Sequence, residues 1–282
     1  MSVCNSVKKI KDGLYCIDEA GSCNRYLIVG SKKALLFDTG YGYVDFRPMI
    51  KEITDKELYV VLSHGHQDHG NGAYLFEDVY MSQKDYQRLM GFDSPECRRK
   101  SLVYRFKKLP ALKDEVNVDS YADDVSFKQV HFHWLKDGDL FDLGDRRLEV
   151  IEIPGHSWGS IGLFERSSGM LFSGDPVTYH NIWNFNVPNM VEPKIYMKSL
   201  KRLKGMQREI HEIYPAHGPY PIPNTVIDEL IGNLYDIRDH HENDEVFSNI
   251  MVPGEGYKHY YQNTLIIYSK EYLDKIIKEG LD

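Results

Sequence analysis

Short runs of apolar residues, each bounded by Gly, Ser, Asn or Asp, dominate the first third of the chain and predict β-strands. These predicted strands are 13–17, 25–30, 33–38 and 58–63. Apolar residues at helical spacing predict helices at 46–53, 82–90 and 94–109. The stretch 110–130 has few apolar residues among acidic and small polar ones, and we expect a mobile excursion there.

The remainder of the chain alternates between the same two patterns. Strands are predicted at 147–153, 160–166, 169–175 and 212–216, helices at 193–206 and 222–243, and a strand followed by a helix over 263–280. No internal repeat, low-complexity tract or Gly/Pro-rich linker interrupts this order. We therefore expect one domain over residues 1–282, with an inserted helical and loop excursion at about 91–134.

Composition narrows the class of protein. The 282 residues are 42% hydrophobic and 27% charged, with a formal net charge of -8, which is typical of a soluble globular protein that repels polyanions. The four cysteines show no CxxC spacing and suit thiols in a reducing compartment. The first residues contain no apolar segment of signal-peptide length, and no apolar run approaches the roughly 20 residues that span a bilayer. We expect a cytoplasmic protein without nucleic-acid or membrane partners.

Aspartate or histidine residues follow five of the predicted strands. A carboxylate or an imidazole stands at or just beyond the end of each strand: Asp38, His64, His156, Asp175 and His217. The general polarity of loops explains an aspartate easily. It does not explain histidine, a rare residue, at three of the five ends and three times in the stretch SHGHQDHG.

A metal site explains the histidines directly. Strand-end loops can bring side chains to fixed positions, and imidazole with carboxylate suits Zn, Fe or Mn. In His64-Gly65-His66 both rings can lean to one side and share an ion, whereas Asp68 and His69 lie on the next turn and suit a second ion. Seven candidate ligands exceed what one four-coordinate ion takes, and two ions about 3.5 to 4 Å apart would use them all.

The motif series resembles that of the metallo-β-lactamase superfamily. The motifs are LFDTG, HGHQDH, PGHSWGSIG, SGD and PAHG, which occur in that order between about residues 33 and 219. The resemblance implies an α+β fold, a four-layer αββα sandwich with the metals at one edge of the paired sheets. It also implies the ligand roles, with His64, His66 and His156 on one metal, Asp68, His69 and His217 on the other, Asp175 as the bridge and Asp38 orienting the ligand loop.

Departures from particular branches of the superfamily narrow the activity. Secreted β-lactamases of the commonest type carry Cys where Asp175 stands, which argues against β-lactam hydrolysis. The flavodiiron branch replaces the second histidine of the first motif, whereas this chain keeps His66. The intact ligand set looks most like the glyoxalase II and lactonase branches.

The resulting hypothesis is a dinuclear metal-dependent hydrolase of a small molecule. A metal-bridging hydroxide would attack a carbonyl ester, thioester or lactone, and Asp68 would be the catalytic residue that handles the proton. Zinc is the first choice of metal, with iron or manganese as alternatives. Two other reactions stay open, hydrolysis of a phosphodiester or phosphorylated small molecule and oxidation of a persulfide at a single iron.

Aromatic residues beside the ligand motifs are candidates for a substrate pocket. They are Trp158, Tyr179, Trp183 and Phe185. The six basic residues of 98–108 could attract an acidic substrate, although a solvated helix face is the commoner explanation. We assign His131 and His133 structural or surface roles. The sequence leaves the oligomeric state open, a dimer included.

Overall fold

The computed structural model describes residues 4–184, 190–249 and 252–281. The chain divides into two compact units, Met1–Leu148 and Glu149–Asp282, and each is described by itself. The expectation of one domain over residues 1–282 remains a prediction. Across the described ranges, no helix has both the length and the apolar character that crossing a bilayer requires.

The first unit carries a sheet and several helices. Its elements are β1 (Asn5–Lys11), β2 (Leu14–Glu19), β3 (Asn24–Val29), β4 (Ala34–Phe37), α1 (Arg47–Ile53), β5 (Leu58–Val61), α2 (Gln67–Gly70), β6 (Asp78–Ser82), α3 (Tyr86–Met90), α4 (Pro95–Lys108), β7 (His131–Leu135) and β8 (Leu140–Asp142). Strands β1 to β7 lie side by side in chain order. Pairing is antiparallel from β1 to β4 and parallel from β4 to β7. The chain therefore leaves β4, β5 and β6 at the same edge of the sheet.

One face of this sheet carries the apolar core of the first unit. Alternate side chains of a strand point to the same face, so Leu36, Val60 and Val79 form one buried surface on three parallel strands. Phe46, directly before α1, and Ile50 within it pack against that surface. This packing fixes the ends of β4 and β5, from which the polar residues emerge.

Residues 110–130 differ from the mobile excursion that we expected. They form short helical turns, and Leu112, Tyr121 and Val125 are buried in an apolar cluster with Tyr41 and Tyr43. Few apolar residues are present, but they are spaced so that each turn buries one or two of them. The small number of apolar residues was therefore a poor guide to whether this segment forms packed structure.

The second unit has two sets of strands and three helices in its described part. Its elements are β9 (Arg147–Glu152), which contains the division, β10 (Ile161–Glu165), β11 (Met170–Gly174), β12 (His180–Asn184), α5 (Pro193–Met206), β13 (Glu212–Pro215), α6 (Val226–His240), β14 (Glu245–Asn249), β15 (Val252–Tyr261), β16 (Thr264–Tyr268) and α7 (Lys270–Glu279). One set has the order β13-β11-β10-β9, and the other has the order β12-β16-β15-β14.

Strand direction in the first set determines where the later motifs lie. Strand β10 is antiparallel to both β9 and β11, and β13 is parallel to β11. Strands β9, β11 and β13 therefore run in one direction and end at the same edge. The residues that follow them, including those at 156, 175 and 217, are brought to that edge.

Helices α5 and α6 cover the core of the second unit. Leu200 and Leu203 of α5 and Leu230 and Leu234 of α6 are fully buried in one cluster with Ile213 of β13. Their spacing of three or four residues places each pair on one helix face. Burial of a side chain of this size stabilises the fold by roughly 1.5–3 kcal/mol.

The predicted strands and helices are confirmed to within a few residues at each end. The strands β1, β6, β7, β8, β12, β14 and β15 were not predicted. Strand β1 shows the reason, because four of its seven residues are consecutive exposed positions and its lysines hide any alternation. An edge strand is held by backbone pairing, which leaves little trace in side-chain polarity.

Candidate metal centre

The first group of candidate ligands lies in the loop after β5. This loop meets Asp38, the residue directly after β4, because β4 and β5 are parallel and Phe37 is paired with Val61. His64 and His69 are 1% and 0% exposed, so their rings face the interior rather than water. Asp38 is also fully buried. The sequence thus delivers two imidazoles and a carboxylate to one edge of the sheet.

Asp38 connects the two ends of this loop. Its carboxylate accepts hydrogen bonds from Ser63 N at 2.7 Å, Ser63 Oγ at 2.8 Å and His69 Nδ1 at 2.9 Å. Because a carboxylate only accepts, His69 carries its proton on Nδ1 and has the lone pair on Nε2 available for a metal. His69 Nε2 lies 3.6 Å from Asp68 Oδ2. These contacts are the ones expected of a residue that orients a ligand loop.

His64 and His66 turn ring nitrogens toward each other. His64 Nε2 and His66 Nδ1 are 2.9 Å apart. Ser63 Oγ, which gives its proton to Asp38, lies 3.0 Å from His64 Nδ1 and accepts a hydrogen bond from it. The lone pair of His64 is then on Nε2, the atom that faces His66, which suits an ion shared by both rings.

Two residues from the next segment support the loop, and sequence reasoning missed them. Asp85, 1% exposed, accepts a hydrogen bond from Gly65 N at 3.0 Å. A Cβ on Gly65 would lie 2.5 Å from the backbone oxygen of Asp85, so only glycine fits there. Arg88 NH1 lies 3.1 Å from His66 Nε2, and because a guanidinium only donates, this contact places the His66 proton on Nδ1. An ion shared by His64 and His66 would replace that arrangement. The spacing of Asp85 and Arg88 on one short helical segment is a signal, but it is far too common to be specific.

A buried thiol lies against the same histidine. Cys23 Sγ is 3.8 Å from His69 Nδ1, and the ligand-type atoms of Cys23, Asp38 and His69 are all within 4.8 Å of one another. Burial raises the pKa of Cys23 to about 12, against a smaller lowering by His69. The thiol is therefore neutral near pH 7 and packs against the ring as a small apolar group.

The second group of candidate ligands lies at the ends of β9, β11 and β13. Asp175 holds a histidine on each of its two oxygens, with Oδ2 at 3.3 Å from His156 Nε2 and Oδ1 at 3.3 Å from His217 Nε2. His156 and Asp175 are buried, at 3% and 4% exposure. One carboxylate between two imidazoles is the arrangement that a bridging ligand needs.

Tyr196 of α5 supports this second group. A Cβ on Gly155 would lie 2.1 Å from the Tyr196 ring, so glycine is required next to His156. The Tyr196 hydroxyl donates a hydrogen bond to the backbone oxygen of Pro176, next to Asp175. A single fully buried side chain thus contacts the neighbours of two candidate ligands.

The donor set and its spacing fit a divalent metal. At a zinc–nitrogen distance of about 2.0–2.1 Å, two donors on one tetrahedral ion are about 3.3 Å apart. The two 3.3 Å separations around Asp175 match this value, and the 2.9 Å and 3.6 Å separations in the first unit are close to it. Within each group, imidazoles and a carboxylate are the borderline ligands that Zn, Fe and Mn share.

The aromatic residues proposed for a substrate pocket lie in different settings. Trp158 is half-buried two residues after His156. Tyr179 packs against the apolar cluster of the second unit, and its backbone oxygen accepts a hydrogen bond from Leu265 N. The backbone of Trp183 belongs to β12, but its side chain lies outside the described part of the structure, as does the whole of Phe185. Their role in a pocket stays a prediction.

The basic block 98–108 forms most of α4, and part of it has a structural role. Arg98 is 3% exposed, and its Nε donates a hydrogen bond to Ala122 O at 2.9 Å. Arg99 forms an ion pair with Asp119 at 3.0 Å. Both residues hold the segment that follows the helix, which favours the structural interpretation over substrate attraction.

The histidines of the VHFHWL stretch belong to strand β7. His133 Nε2 lies 2.6 Å from Asp78 Oδ1 on the neighbouring strand, and its ring stacks on Tyr80 at 4.7 Å. The side chain of His131 is 68% exposed. These contacts confirm the structural and surface roles assigned to the pair.

Comparison with known proteins agrees with the motif series. The family model described as "Metallo-beta-lactamase superfamily" matches residues 18–217, a range that contains both groups of candidate ligands. The human protein named acyl-coenzyme A thioesterase MBLAC2 is 30% identical over 193 residues, which cover 60% of this chain and 65% of that protein. The chain therefore spans slightly less than two thirds of this relative's length.

A second relative is named for a different substrate. The hydroxyacylglutathione hydrolase GloC of Haemophilus influenzae is 25% identical over 192 residues, which cover 67% of this chain and 82% of that protein. Both relatives are named for hydrolysis.

A solved structure supports the fold. The metallo-beta-lactamase family protein TTHA1429 from Thermus thermophilus superposes with a TM-score of 0.56 over 84% of this chain and 85% of its own, at 19% identity. This likeness confirms the α+β metallo-β-lactamase fold that the motifs implied. Because the family model matches most of the chain, the chain belongs to the metallo-β-lactamase superfamily.

Proposed function

We propose that the protein is a metal-dependent hydrolase in which the two groups of candidate ligands together hold two divalent ions. The observation that carries this proposal is the position of Asp175, whose two oxygens each lie 3.3 Å from a different histidine. A carboxylate in a structural ion pair needs only one partner. A carboxylate between His156 and His217 would hold divalent ions together with these two histidines.

The chain's own residues would fix the ions and their surroundings. The hydrogen bonds of Asp38 set which nitrogen of His69 carries the lone pair, and Ser63 does the same for His64. Divalent ions held in this way would supply a more acidic water and an electrophile that stabilises a developing oxyanion. No serine or cysteine nucleophile is then required.

Asp68 is the residue that we assign to proton handling. Its side chain is 26% exposed, whereas that of its neighbour His69 is fully buried. A carboxylate with access to solvent can take a proton on one oxygen and pass it to water or to a leaving group, while the other oxygen remains near His69. Exposure therefore distinguishes Asp68 from the buried Asp175.

Thioesters are the substrates that we favour within the ester, thioester and lactone class. The names of the two relatives give an acyl-coenzyme A and a hydroxyacylglutathione, and both molecules are thioesters. A thiolate is also a better leaving group than an alkoxide, so stabilisation of the oxyanion alone goes further with a thioester. The phosphodiester alternative loses support, because Arg98 and Arg99 of the basic block are bound within the protein.

A panel of substrates on zinc-loaded protein tests the proposal. We would measure initial rates on an acyl-coenzyme A, a hydroxyacylglutathione, a simple lactone and a bis-aryl phosphate. At least one thioester should be cleaved about tenfold faster than the phosphate, a difference of roughly 1.4 kcal/mol in barrier. The same assay on Asp175→Ala should show almost no turnover, and Asp239→Ala, which changes an exposed carboxylate in the same unit, should match the unchanged protein.

Two outcomes would contradict the proposal. Turnover of the phosphate alone would assign the site to phosphoester chemistry. Thioester turnover that survives both chelation and Asp175→Ala would show that the metal ligands do not carry the reaction.

A further inference from the structure

A buried carboxylate in the first unit holds the loop from which Asp38 projects. Glu19, the last residue of β2, is 0% exposed. Its Oε2 accepts a hydrogen bond from Tyr41 N at 2.6 Å, and its Oε1 accepts from Gly42 N at 2.9 Å and Tyr43 N at 3.2 Å. Three successive backbone N–H groups therefore converge on one side chain. Hydrogen bonds to an ionised acceptor are about twice as strong as those between neutral groups.

The conformation of the loop explains why its N–H groups converge. The φ angles of Asp38, Gly40 and Gly42 are +68°, +71° and +69°, so every second residue is left-handed. Such alternation turns successive N–H groups to one side and forms a concave anion-binding nest. In this protein the Glu19 carboxylate occupies the nest. Burial raises the pKa of Glu19, and Arg25 and the three backbone N–H groups lower it. Every hydrogen bond to the carboxyl comes from a donor, which fits the ionised form. A Cβ on Gly40 would lie 2.4 Å from Glu19 Oε2, so the carboxylate leaves no room for a side chain there.

Asp38 is the strained member of this loop. A left-handed conformation is uncommon for a residue with a side chain and is disfavoured unless the surroundings enforce it. The neighbouring glycines adopt the same conformation at no steric cost. The hydrogen bonds to Glu19 stabilise the 38–43 loop in this conformation.

The 38–43 loop is also hydrogen-bonded to the segment that carries His69. Thr39 donates two hydrogen bonds to the backbone oxygen of His69, from N at 2.8 Å and from Oγ1 at 2.8 Å. Gly72 N donates to Gly40 O at 2.9 Å. A Cβ on Gly42 would lie 2.5 Å from Gly72 Cα, which shows how closely the two segments approach. Any shift of the 38–43 loop would therefore move His69.

We infer that Glu19 is a positioning residue of the metal centre, which acts through the 38–43 loop on Asp38 and His69. This inference rests on the metal site proposed above. Glu19 touches no candidate ligand itself, and it lies 45 residues before His64, the first histidine of the site in the chain. Its effect on the metal is transmitted by the nest, through Asp38 and Thr39.

A purely structural alternative is that Glu19 only neutralises the buried Arg25. The contacts of Arg25 argue against this as the sole role. Its guanidinium donates to Ile17 O at 3.0 Å and to Asn5 Oδ1 at 2.5 Å and lies over the Phe46 ring at 4.1 Å, whereas its approach to Glu19 is 4.0 Å. The short contacts of Glu19 are with the loop.

Glu19→Gln tests the inference with almost no change in shape. A glutamine amide retains one acceptor oxygen and presents N–H donors to the loop, so the nest loses its anion. We expect the dissociation constant for zinc, measured by competition with a chromophoric chelator, to rise by about tenfold, the lower end of the range for residues that orient metal ligands. The matched control is Asp18→Asn, because Asp18 also accepts a backbone hydrogen bond, from Gly21 N at 3.0 Å, but does not touch the 38–43 loop.

A spectroscopic signature in metal-free protein gives a second readout. The His69 Nδ1 proton is held by the Asp38 carboxylate in a fully buried site, so it should give a slowly exchanging downfield imidazole resonance in proton NMR spectra. We expect this resonance in the unchanged protein and in Asp18→Asn, and we expect it to broaden or vanish in Glu19→Gln. A general loss of stability would not single out this one proton.

Rescue by a small anion separates positioning from packing. In Glu19→Ala the nest is empty, and formate can bind there, whereas formamide has the same size without the charge. Formate should restore zinc affinity and the His69 resonance, and formamide should restore neither. If Glu19→Ala does not fold, Glu19→Gln alone decides the matter through zinc affinity and the resonance.

The outcomes separate failure of this inference from failure of the proposed function. Unchanged zinc affinity and an unchanged His69 resonance in Glu19→Gln would overturn the positioning role while leaving the metal site intact. Equal rescue by formamide would reduce Glu19 to a filler of space. Absence of zinc binding in the unchanged protein would contradict the proposed function itself, and the His69 resonance, which needs no metal, would still report on Glu19.

Discussion

The two groups of candidate ligands are held in place by different means. In the first unit, His64, His66, Asp68 and His69 lie on one loop, and buried carboxylates bind its backbone and its rings. In the second unit, the ligands come from three separate strand ends, and uncharged groups supply the supporting contacts: the Tyr196 ring and hydroxyl, the Ser199 hydroxyl on Pro154 O and the Thr178 hydroxyl on His217 O. Strand direction determines the positions of the second group of ligands, whereas hydrogen bonds to carboxylates determine the positions of the first.

This difference indicates which changes each group should tolerate. A loop has many conformations of similar energy, so specific hydrogen bonds are needed to select one. Parallel strand ends are already fixed by the sheet, so a hydroxyl at their side adds little. Substitutions that change charge should therefore affect the first group most, and substitutions that change volume should affect the second.

The largest effect should follow from removal of the residue shared by two histidines. Asp175→Ala deletes both of its 3.3 Å contacts, and we expect kcat/KM to fall by at least about 10³-fold, because a metal ion contributes several kcal/mol to the transition state. Steady-state kinetics and metal analysis of the same sample measure this. Full activity with full metal content would remove Asp175 from the centre.

The next effect compares one polar support from each unit. Asp38→Asn replaces an acceptor of three hydrogen bonds by an amide, and we expect the dissociation constant for zinc to rise about 10–100-fold. Tyr196→Phe removes one hydrogen bond, to Pro176 O, which is worth about 1 kcal/mol of stability, and should leave zinc affinity within about threefold. A larger loss of affinity in Tyr196→Phe would invert the comparison.

A substitution that adds volume should affect the second group of ligands more than the first. Gly155→Ala places a Cβ 2.1 Å from the Tyr196 ring, and we expect the free energy of unfolding to fall by about 1–3 kcal/mol with a displaced His156. Gly205→Ala is the matched control, because a Cβ there meets nothing within 4 Å and the residue is part of α5. The control should raise stability by up to about 1 kcal/mol, since alanine favours a helix. Denaturant titrations monitor both, and equal effects would show that the Gly155 contact relaxes without cost.

The smallest expected effect is a change in the rate of cysteine alkylation, which reports on the first unit alone. All four cysteines lie in that unit, and burial raises the pKa of Cys4 and Cys23 to about 12, so their thiols are neutral at pH 8. Cys97 is the partly exposed thiol, and we expect an alkylating reagent to modify it at least about tenfold faster than Cys23. In Asp38→Asn, labelling of Cys23 should accelerate. Peptide mass spectrometry measures both rates, and fast labelling of Cys23 in the unchanged protein would show that the loop is open.

The candidate ligands could be read from the sequence, and their supports could not. Histidine is rare enough that three in the loop after one apolar run, and one after each of two further runs, indicate chemistry. Glu19 and Asp85 gave no comparable signal, because carboxylates are common and burial depends on distant parts of the chain. The alternating glycines of DTGYGY were a usable hint, since such spacing is typical of a loop that binds an anion.

The fold shows the same division. Strands that end in candidate ligands are apolar and buried, so their pattern is clear, as in MLFSG of β11, which precedes Asp175. Strand β7, HFHWL, is mostly exposed at the edge of its sheet, and its pairing with β6 decides its structure. Residues 110–130 fold because a few apolar side chains find partners such as Tyr41 and Tyr43, far away in the sequence.

Metal stoichiometry tests the central claim most directly. The full chain would be loaded with zinc, freed of weakly bound ions by passage over a desalting column, and analysed for zinc and protein in the same fractions. We expect about two ions per chain, because seven ligands exceed the needs of one four-coordinate ion. One ion or fewer per chain after repeated loading would contradict a two-metal centre.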